Sequence, residues 1–260
     1  MRRGGRACGV GYILPFVQAS FHQGLVNPVK RERSKPSSTD QVTVVECPKC
    51  QAPQEVVPVT VLRPGAEALQ ALFKGALNRV TCGACGTGFV LAVPILYRDD
   101  AARFMVYFIS TADPAERAEG ERQMERVTKQ IFSQESGLQP PTCRLVTDRS
   151  ALIEKITLHE RGFDDRIVEY VKYQLFSNPN RENRPDPVRH RLLFDFSADP
   201  DGPNLAFVIF DRESGRPTAG AHIPMEVYRE VEEAFTTSLK MREELQALFP
   251  GTYVSVERLL

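Results

Sequence analysis

Four of the six cysteines stand in two closely spaced pairs, and this pattern constrains the fold more than any other feature. Cys47 pairs with Cys50 and Cys82 with Cys85, each pair with two intervening residues, and 31 residues separate the pairs. Structural zinc is held by a closed tetrahedron of soft ligands, and four thiolates supply one. The spacing therefore predicts one structural Zn²⁺ ion bound by these four cysteines.

The residues next to the cysteines favour the tight turns that such a site needs. Pro48 stiffens the first turn, and Gly86 can adopt the left-handed conformation that follows the second. The spacer is longer than the 15–20 residues typical of zinc sites, so we expect an inserted helix and strand within a ribbon.

Other uses of paired cysteines fit this chain less well. A dithiol redox centre uses one C-x-x-C pair where a strand meets a helix, whereas both pairs here lie beside predicted strands. An iron–sulfur cluster also takes four cysteines, but nothing else in the sequence resembles a redox enzyme. A catalytic zinc keeps one coordination position open, which four thiolates would fill.

The charge balance bears on nucleic-acid and membrane binding. Basic and acidic residues number 33 each, so no overall field attracts polyanions. Residues 1–35 carry seven basic residues against one acidic, but residues 44–109 carry six against five. Because phosphate contacts dominate nucleic-acid affinity, nucleic-acid association is the weaker alternative.

The localisation signals favour the cytoplasm. No apolar run reaches the roughly 18 residues of a membrane span, so we expect no membrane partner. Residues 7–21 follow three arginines but are interrupted by glycine, proline and glutamine, a poor signal peptide. Clustered cysteine pairs in a chain of this size also favour a reducing compartment.

Composition divides the chain into four segments and predicts an α+β fold. We expect a disordered basic tail over 1–40 and a zinc-ribbon-like domain with an inserted helix and a helical middle over 41–177. A linker over 178–188 leads to a C-terminal antiparallel-sheet-plus-helix module over 189–260.

Periodicity places several elements within these segments. An apolar helical face over 65–77 supplies the inserted helix, and the continuous apolar run Phe89–Tyr97 predicts one central strand. A long helix is expected from Pro224, followed by a last strand over Tyr253–Glu257.

The remaining reactive residues predict no catalytic or cofactor-binding site. Cys143 is expected as a small buried side chain, and Cys8 lies in the tail. The four histidines lack metal-binding spacing, although His159 and Glu160 near Asp164 and Asp165 leave an acid/base pair open. We instead expect the two aspartates to cap a helix, and Glu169 with Lys172 to form an ordinary surface pair.

The cysteine pattern and its surroundings resemble the CpXC domain family of bacterial and archaeal proteins. The resemblance is carried by residues 47–50, by Ala76-Leu77-Asn78 before residues 82–85, and by residues 94–99, and it extends over about 44–175. Gly83 replaces the proline of the second motif, and Gln51 stands where glycine often follows the first. The resemblance implies a zinc-ribbon-like domain and brings no reaction with it.

Together these features predict a non-enzymatic, zinc-stabilised interaction or regulatory protein. Its protein partner would bind the C-terminal module. A nucleic-acid-associated ribbon protein is the first alternative, and an enzyme without a recognisable motif is the second. A deep site with converging carboxylates or histidines would favour the enzyme.

Overall fold

The structure is a computed structural model that describes residues 25–26, 42–132, 140–177 and 184–260. The strands are β1 (Leu25–Val26), β2 (Thr43–Glu46), β3 (Pro53–Val56), β4 (Val61–Leu62), β5 (Arg79–Thr81), β6 (Gly88–Leu91), β7 (Ile95–Asp99), β8 (Phe104–Phe108), β9 (Thr142–Val146), β10 (His190–Phe194), β11 (Asn204–Asp211) and β12 (Pro217–Pro224). The helices are α1 (Glu67–Phe73), α2 (Pro114–Phe132), α3 (Arg149–Glu160), α4 (Asp165–Ser177), α5 (Met225–Thr237), α6 (Leu239–Leu248) and the 3₁₀ helix Val256–Arg258. This mixture confirms the predicted α+β class.

The described residues form two compact units. The N-terminal unit contains residues 25–26, 42–132, 140–157 and 250–254, and the C-terminal unit contains 158–177, 184–249 and 255–260. The domain boundaries expected from the sequence stay predictions. β1 falls inside the expected tail, but most of residues 1–40, and residues 178–183 of the expected linker, lie outside the described residues.

Two short hairpins carry the cysteines in the N-terminal unit. β2 pairs antiparallel with β3, and β5 pairs antiparallel with β6, while β1 lies parallel to β6. These hairpins share a small apolar core that includes two of the cysteines: Val45, Cys47, Cys82, Phe89, Leu91 and Val93. The inserted helix α1 lies between the hairpins in sequence, as expected from the long spacer.

A four-stranded sheet with strand order β4-β7-β8-β9 forms the larger part of this unit. β7 and β8 form an antiparallel hairpin, whereas β4 and β9 are parallel to their neighbours. Its core combines residues of the strands, of α1, of α3 and of the loop before β5: Leu62, Leu69, Leu72, Leu77, Ile95, Tyr97, Phe104, Val106, Phe108, Val146, Leu152 and Ile156.

The expectation of one strand over Phe89–Tyr97 is wrong. β6 ends at Leu91 and β7 begins at Ile95, and the two strands belong to different sheets. Pro94 lies in the break between the two strands. Because proline has no N–H, it could not donate a ladder hydrogen bond within a strand, so the break is where it fits. Apolar residues continue through the break because Val93 remains buried in the core between the cysteine hairpins.

Residues 250–254 complete the N-terminal unit beside β9. The Leu145 N–H donates to the Thr252 carbonyl at 2.9 Å, and the Tyr253 N–H donates to the Glu121 carboxylate at 2.8 Å. The Arg117 guanidinium lies 4.4 Å from the Tyr253 ring centre. The expected last strand over Tyr253–Glu257 is therefore wrong, because this segment makes isolated contacts and then enters the 3₁₀ helix.

The C-terminal unit contains the predicted antiparallel sheet with helices. Its strand order is β10-β11-β12, and both pairings are antiparallel. The single long helix expected from Pro224 is wrong, because α5 ends at Thr237 and α6 begins at Leu239. Ser238 between them has extended backbone, and its hydroxyl accepts a hydrogen bond from the Met241 N–H, so it starts a new helix.

The surface location expected for Glu169 and Lys172 is also wrong. Their ion pair on α4 has an Nζ–Oε1 distance of 3.0 Å, and the two side chains are only 3% and 2% exposed. The other Glu169 oxygen accepts the Val256 N–H at 2.8 Å. The pair therefore fixes the 3₁₀ helix to α4 within the C-terminal unit.

Candidate metal centre

The first cysteine pair lies in a tight loop at the end of β2. The Gln51 N–H donates to the Cys47 carbonyl at 2.9 Å, and the Cys47 N–H donates to the Ala52 carbonyl at 3.0 Å. Gln51 has a φ of +60°, which lies in the left-handed region. These bonds reverse the chain so that Cys47 and Cys50 face the same side of the loop.

The second pair repeats this loop between β5 and β6. The Gly86 N–H donates to the Cys82 carbonyl at 2.9 Å, and the Cys82 N–H donates to the Thr87 carbonyl at 2.9 Å. Gly86, with a φ of +71°, occupies the position that Gln51 has in the first loop. Two unrelated stretches of sequence therefore build the same cysteine-presenting turn.

The four sulfur atoms converge on one point. All of them lie within 4.8 Å of one another. The Sγ–Sγ distance is 3.7 Å for Cys47 with Cys85 and also for Cys50 with Cys82. A tetrahedron of sulfurs about 2.3 Å from a central Zn²⁺ has edges of about 3.8 Å. The arrangement therefore fits a tetrahedral metal ion, whereas a disulfide would need an S–S distance of about 2.05 Å.

The two loops bury one cysteine each and expose the other. Cys47 and Cys82 are 1% and 2% exposed and belong to the apolar core, whereas Cys50 and Cys85 are exposed. A bound ion would thus be anchored in the core on one side and shielded by only two sulfurs on the other.

Hydrogen bonds and burial shift the pKa values of Cys85, Cys47 and Cys50 in different directions. The Thr87 hydroxyl and backbone N–H lower the pKa of Cys85 to about 6, and the hydroxyl lies 3.2 Å from Sγ. The Cys50 N–H lowers the pKa of Cys47. The Ala52 N–H also lowers that of Cys50, but Cys85 and burial outweigh it and raise the Cys50 pKa to about 12. Four thiolates this close together would repel one another, so a bound cation is needed for all four to be ionised.

Gln54 occupies a supporting position that the sequence did not reveal. Its Oε1 accepts the Gly83 N–H at 2.9 Å, and its Nε2 donates to the Pro53 carbonyl at 2.8 Å. Gly83, unlike a proline, has an N–H that needs an acceptor. Gln54 therefore satisfies the donor that the glycine introduces and links the two cysteine loops.

The other candidate residues form no second metal-binding cluster among the described residues. Among the described residues, the four cysteines are the one group of three or more ligating side chains that meet. Asp164 caps α4 as predicted, because its carboxylate accepts the Arg166 N–H at 2.9 Å and also binds the Arg166 guanidinium. Cys143 is buried as predicted, and burial raises its pKa. Cys8 lies outside the described residues.

No helix within the described ranges is both long enough and apolar enough to cross a membrane. The model of the protein family described as CpXC protein matches residues 45–172. This segment contains both cysteine loops, the four-stranded sheet and most of α4. No curated protein and no solved structure matches the chain.

Proposed function

We propose that this chain, whose residues 45–172 match the model of the CpXC family, holds one structural Zn²⁺ ion between Cys47, Cys50, Cys82 and Cys85. The observation that carries the proposal is the convergence of the four sulfurs to within 4.8 Å. Thiolates are soft ligands that favour zinc over magnesium or calcium. Four protein ligands leave no open position on the ion, which is typical of a structural site.

Metal analysis of the purified chain tests this assignment. We expect one zinc per chain and loss of zinc in the Cys82→Ser, Cys85→Ser double variant. Cys143→Ser is the matched control, because this buried thiol lies outside the cluster. Full zinc occupancy in the double variant would overturn the assignment.

The proposed role is a non-enzymatic interaction or regulatory module with a protein partner. The closed ligand set supports it, because such an ion has no position for a substrate. We assign the partner surface to the C-terminal sheet and helices, which begin beyond the family segment and are therefore what this chain adds to it.

Cross-linking of the full chain in its native cells tests the partner surface. Cross-links to a partner are expected within residues 184–249, and cross-links concentrated on residues 42–91 would contradict the assignment.

The proposed compartment is the cytoplasm, since zinc thiolates persist where disulfides are kept reduced. Fractionation of the same cells checks this, and recovery of the chain outside the cytoplasm would contradict it.

A further inference from the structure

Arg149 closes the base of the hairpin that carries the second cysteine loop. Its Nη1 donates to the Leu77 carbonyl at 3.1 Å, and its Nη2 donates to the Leu91 carbonyl at 3.2 Å. Leu77 precedes β5, and Leu91 is the last residue of β6. One guanidinium therefore joins both strands of the hairpin at the end away from the cysteine loop.

Asn78 fixes the same base from the other side. The Leu91 N–H donates to the Asn78 carbonyl at 2.9 Å, which extends the hairpin by one bond. The Asn78 side chain accepts the Val59 N–H and donates to the Val59 carbonyl, both at 2.8 Å. The Asn78 side chain thus takes the place of a neighbouring strand, and the hairpin base is held by Arg149 at its backbone and by Val59 at Asn78.

The location of Arg149 indicates that these contacts are its main contribution. It is the first residue of α3, where the positive end of the helix dipole disfavours a cation. Asp148 caps the helix, because its carboxylate accepts the Ala151 N–H at 2.9 Å. Leu152 and Ile156 on the following turns are fully buried in the main core. The guanidinium therefore connects a firmly packed helix end with the cysteine hairpin.

We propose that Arg149 is a positioning residue for the metal site and couples metal binding to the order of the first turns of α3. This rests on the proposed zinc site. Leu77 and Leu91 lie five and six residues from the nearest cysteine, about 15–20 Å of extended chain, so Arg149 acts through the hairpin. Because linkage is reciprocal, metal should stabilise the ordered α3 terminus by the same factor by which an ordered terminus strengthens metal binding.

Zinc affinity of full-length variants provides the first test, measured by competition with a chelator of known affinity. We expect Arg149→Met to weaken Zn²⁺ binding roughly tenfold, the lower end of the range for groups bonded directly to ligands, because Arg149 acts from farther away. Arg149→Lys should recover little, because an ammonium lacks the fork that reaches two carbonyls. Arg63→Met is the matched control, since Arg63 is about half exposed and pairs with Asp100.

Hydrogen exchange provides the second test, because it measures how zinc binding changes the stability of the first turns of α3. In the wild type, chelation of zinc should accelerate exchange of the amides of residues 151–156 roughly tenfold. In Arg149→Met these amides should exchange at the same rate with and without zinc. A merely structural Arg149 would change the exchange rate without removing its dependence on metal.

The outcomes separate this inference from the zinc assignment. Absence of zinc from the wild type would overturn the proposed site itself. Zinc binding that is equally tight in wild type and Arg149→Met would overturn the inference alone. If Arg149→Met does not fold, hydrogen exchange of the wild type still tests the coupling. Exchange rates of the α3 amides that are the same with and without zinc would overturn it.

Discussion

At the scale of single residues, the two cysteine loops have different residues at the position that follows each cysteine pair, Gln51 in the first and Gly86 in the second. Gln51 and Gly86 share the left-handed conformation, which costs an L-residue about 1–2 kcal/mol and glycine almost nothing. A methyl group added to Gly86 would meet no atom within 4 Å, so substitution there probes the backbone alone. The first loop therefore carries a strain that the second avoids.

Single substitutions at these two positions should change the free energy of unfolding in opposite directions. Gln51→Gly should stabilise the zinc-loaded protein by about 0.5 kcal/mol, because relieved strain exceeds the added freedom of the unfolded chain. Gly86→Ala should destabilise it by about 1 kcal/mol. Urea unfolding at fixed excess zinc measures both, and a loss of stability in Gln51→Gly would show that its side chain contributes more than its backbone costs.

Thr87 should extend metal uptake to lower pH. Its donors lower the pKa of Cys85 to about 6, so this thiolate is available above that pH and protons compete with metal below it. Thr87→Val removes the hydroxyl and raises the pKa, so the midpoint of uptake should move to higher pH. Thr87→Ser, which keeps the hydroxyl, should retain the wild-type midpoint.

Titration of Co²⁺ or Zn²⁺ binding between about pH 5 and about pH 8 measures this midpoint. Identical midpoints for Thr87→Val and wild type would contradict the role given to the hydroxyl.

At the scale of elements, the predictions that the structure confirms concern features formed by residues close together in the sequence. The cysteine turns, the inserted helix and the Asp164 cap depend on residues close in sequence, and all are present. The contacts that were missed join distant residues: Arg149 reaches carbonyls 72 and 58 positions away. Likewise, i,i+3 spacing identified the Glu169–Lys172 pair but could not reveal its burial, which depends on packing.

Breaking this buried pair should destabilise the C-terminal unit. Glu169→Gln keeps an oxygen for the Val256 N–H but removes the charge that faces Lys172, so we expect a loss of about 3 kcal/mol. Glu119→Gln is the matched control, because Glu119 pairs with Arg122 on the exposed surface. Urea unfolding measures both, and equal small losses would indicate that Glu169 contributes no more than a surface pair.

At the scale of the whole molecule, stability should depend on metal unevenly. Among the described residues, the core between the cysteine hairpins contains six buried side chains, whereas the sheet core of the same unit contains twelve. Under the proposed zinc assignment we expect the smaller core to depend on the ion, since structural zinc contributes on the order of 10 kcal/mol to such modules.

Chelation should therefore unfold part of the chain. Amides in β2, β3, β5 and β6 should lose protection from hydrogen exchange, while those of β10 and β11 should keep it. Exchange detected by mass spectrometry distinguishes these segments, and uniform loss of protection would show that the metal stabilises both units equally.

The contact of residues 250–254 with β9 has a consequence for biosynthesis. Roughly 100 residues separate the two segments, and at about 5–20 residues per second the ribosome needs roughly 5–20 s to make them. During that interval the outer edge of β9 is synthesised but lacks the backbone partner that Thr252 provides. Open strand edges recruit other chains. The nascent protein should therefore gain most from a ribosome-associated chaperone after β9 has emerged and before Thr252 follows.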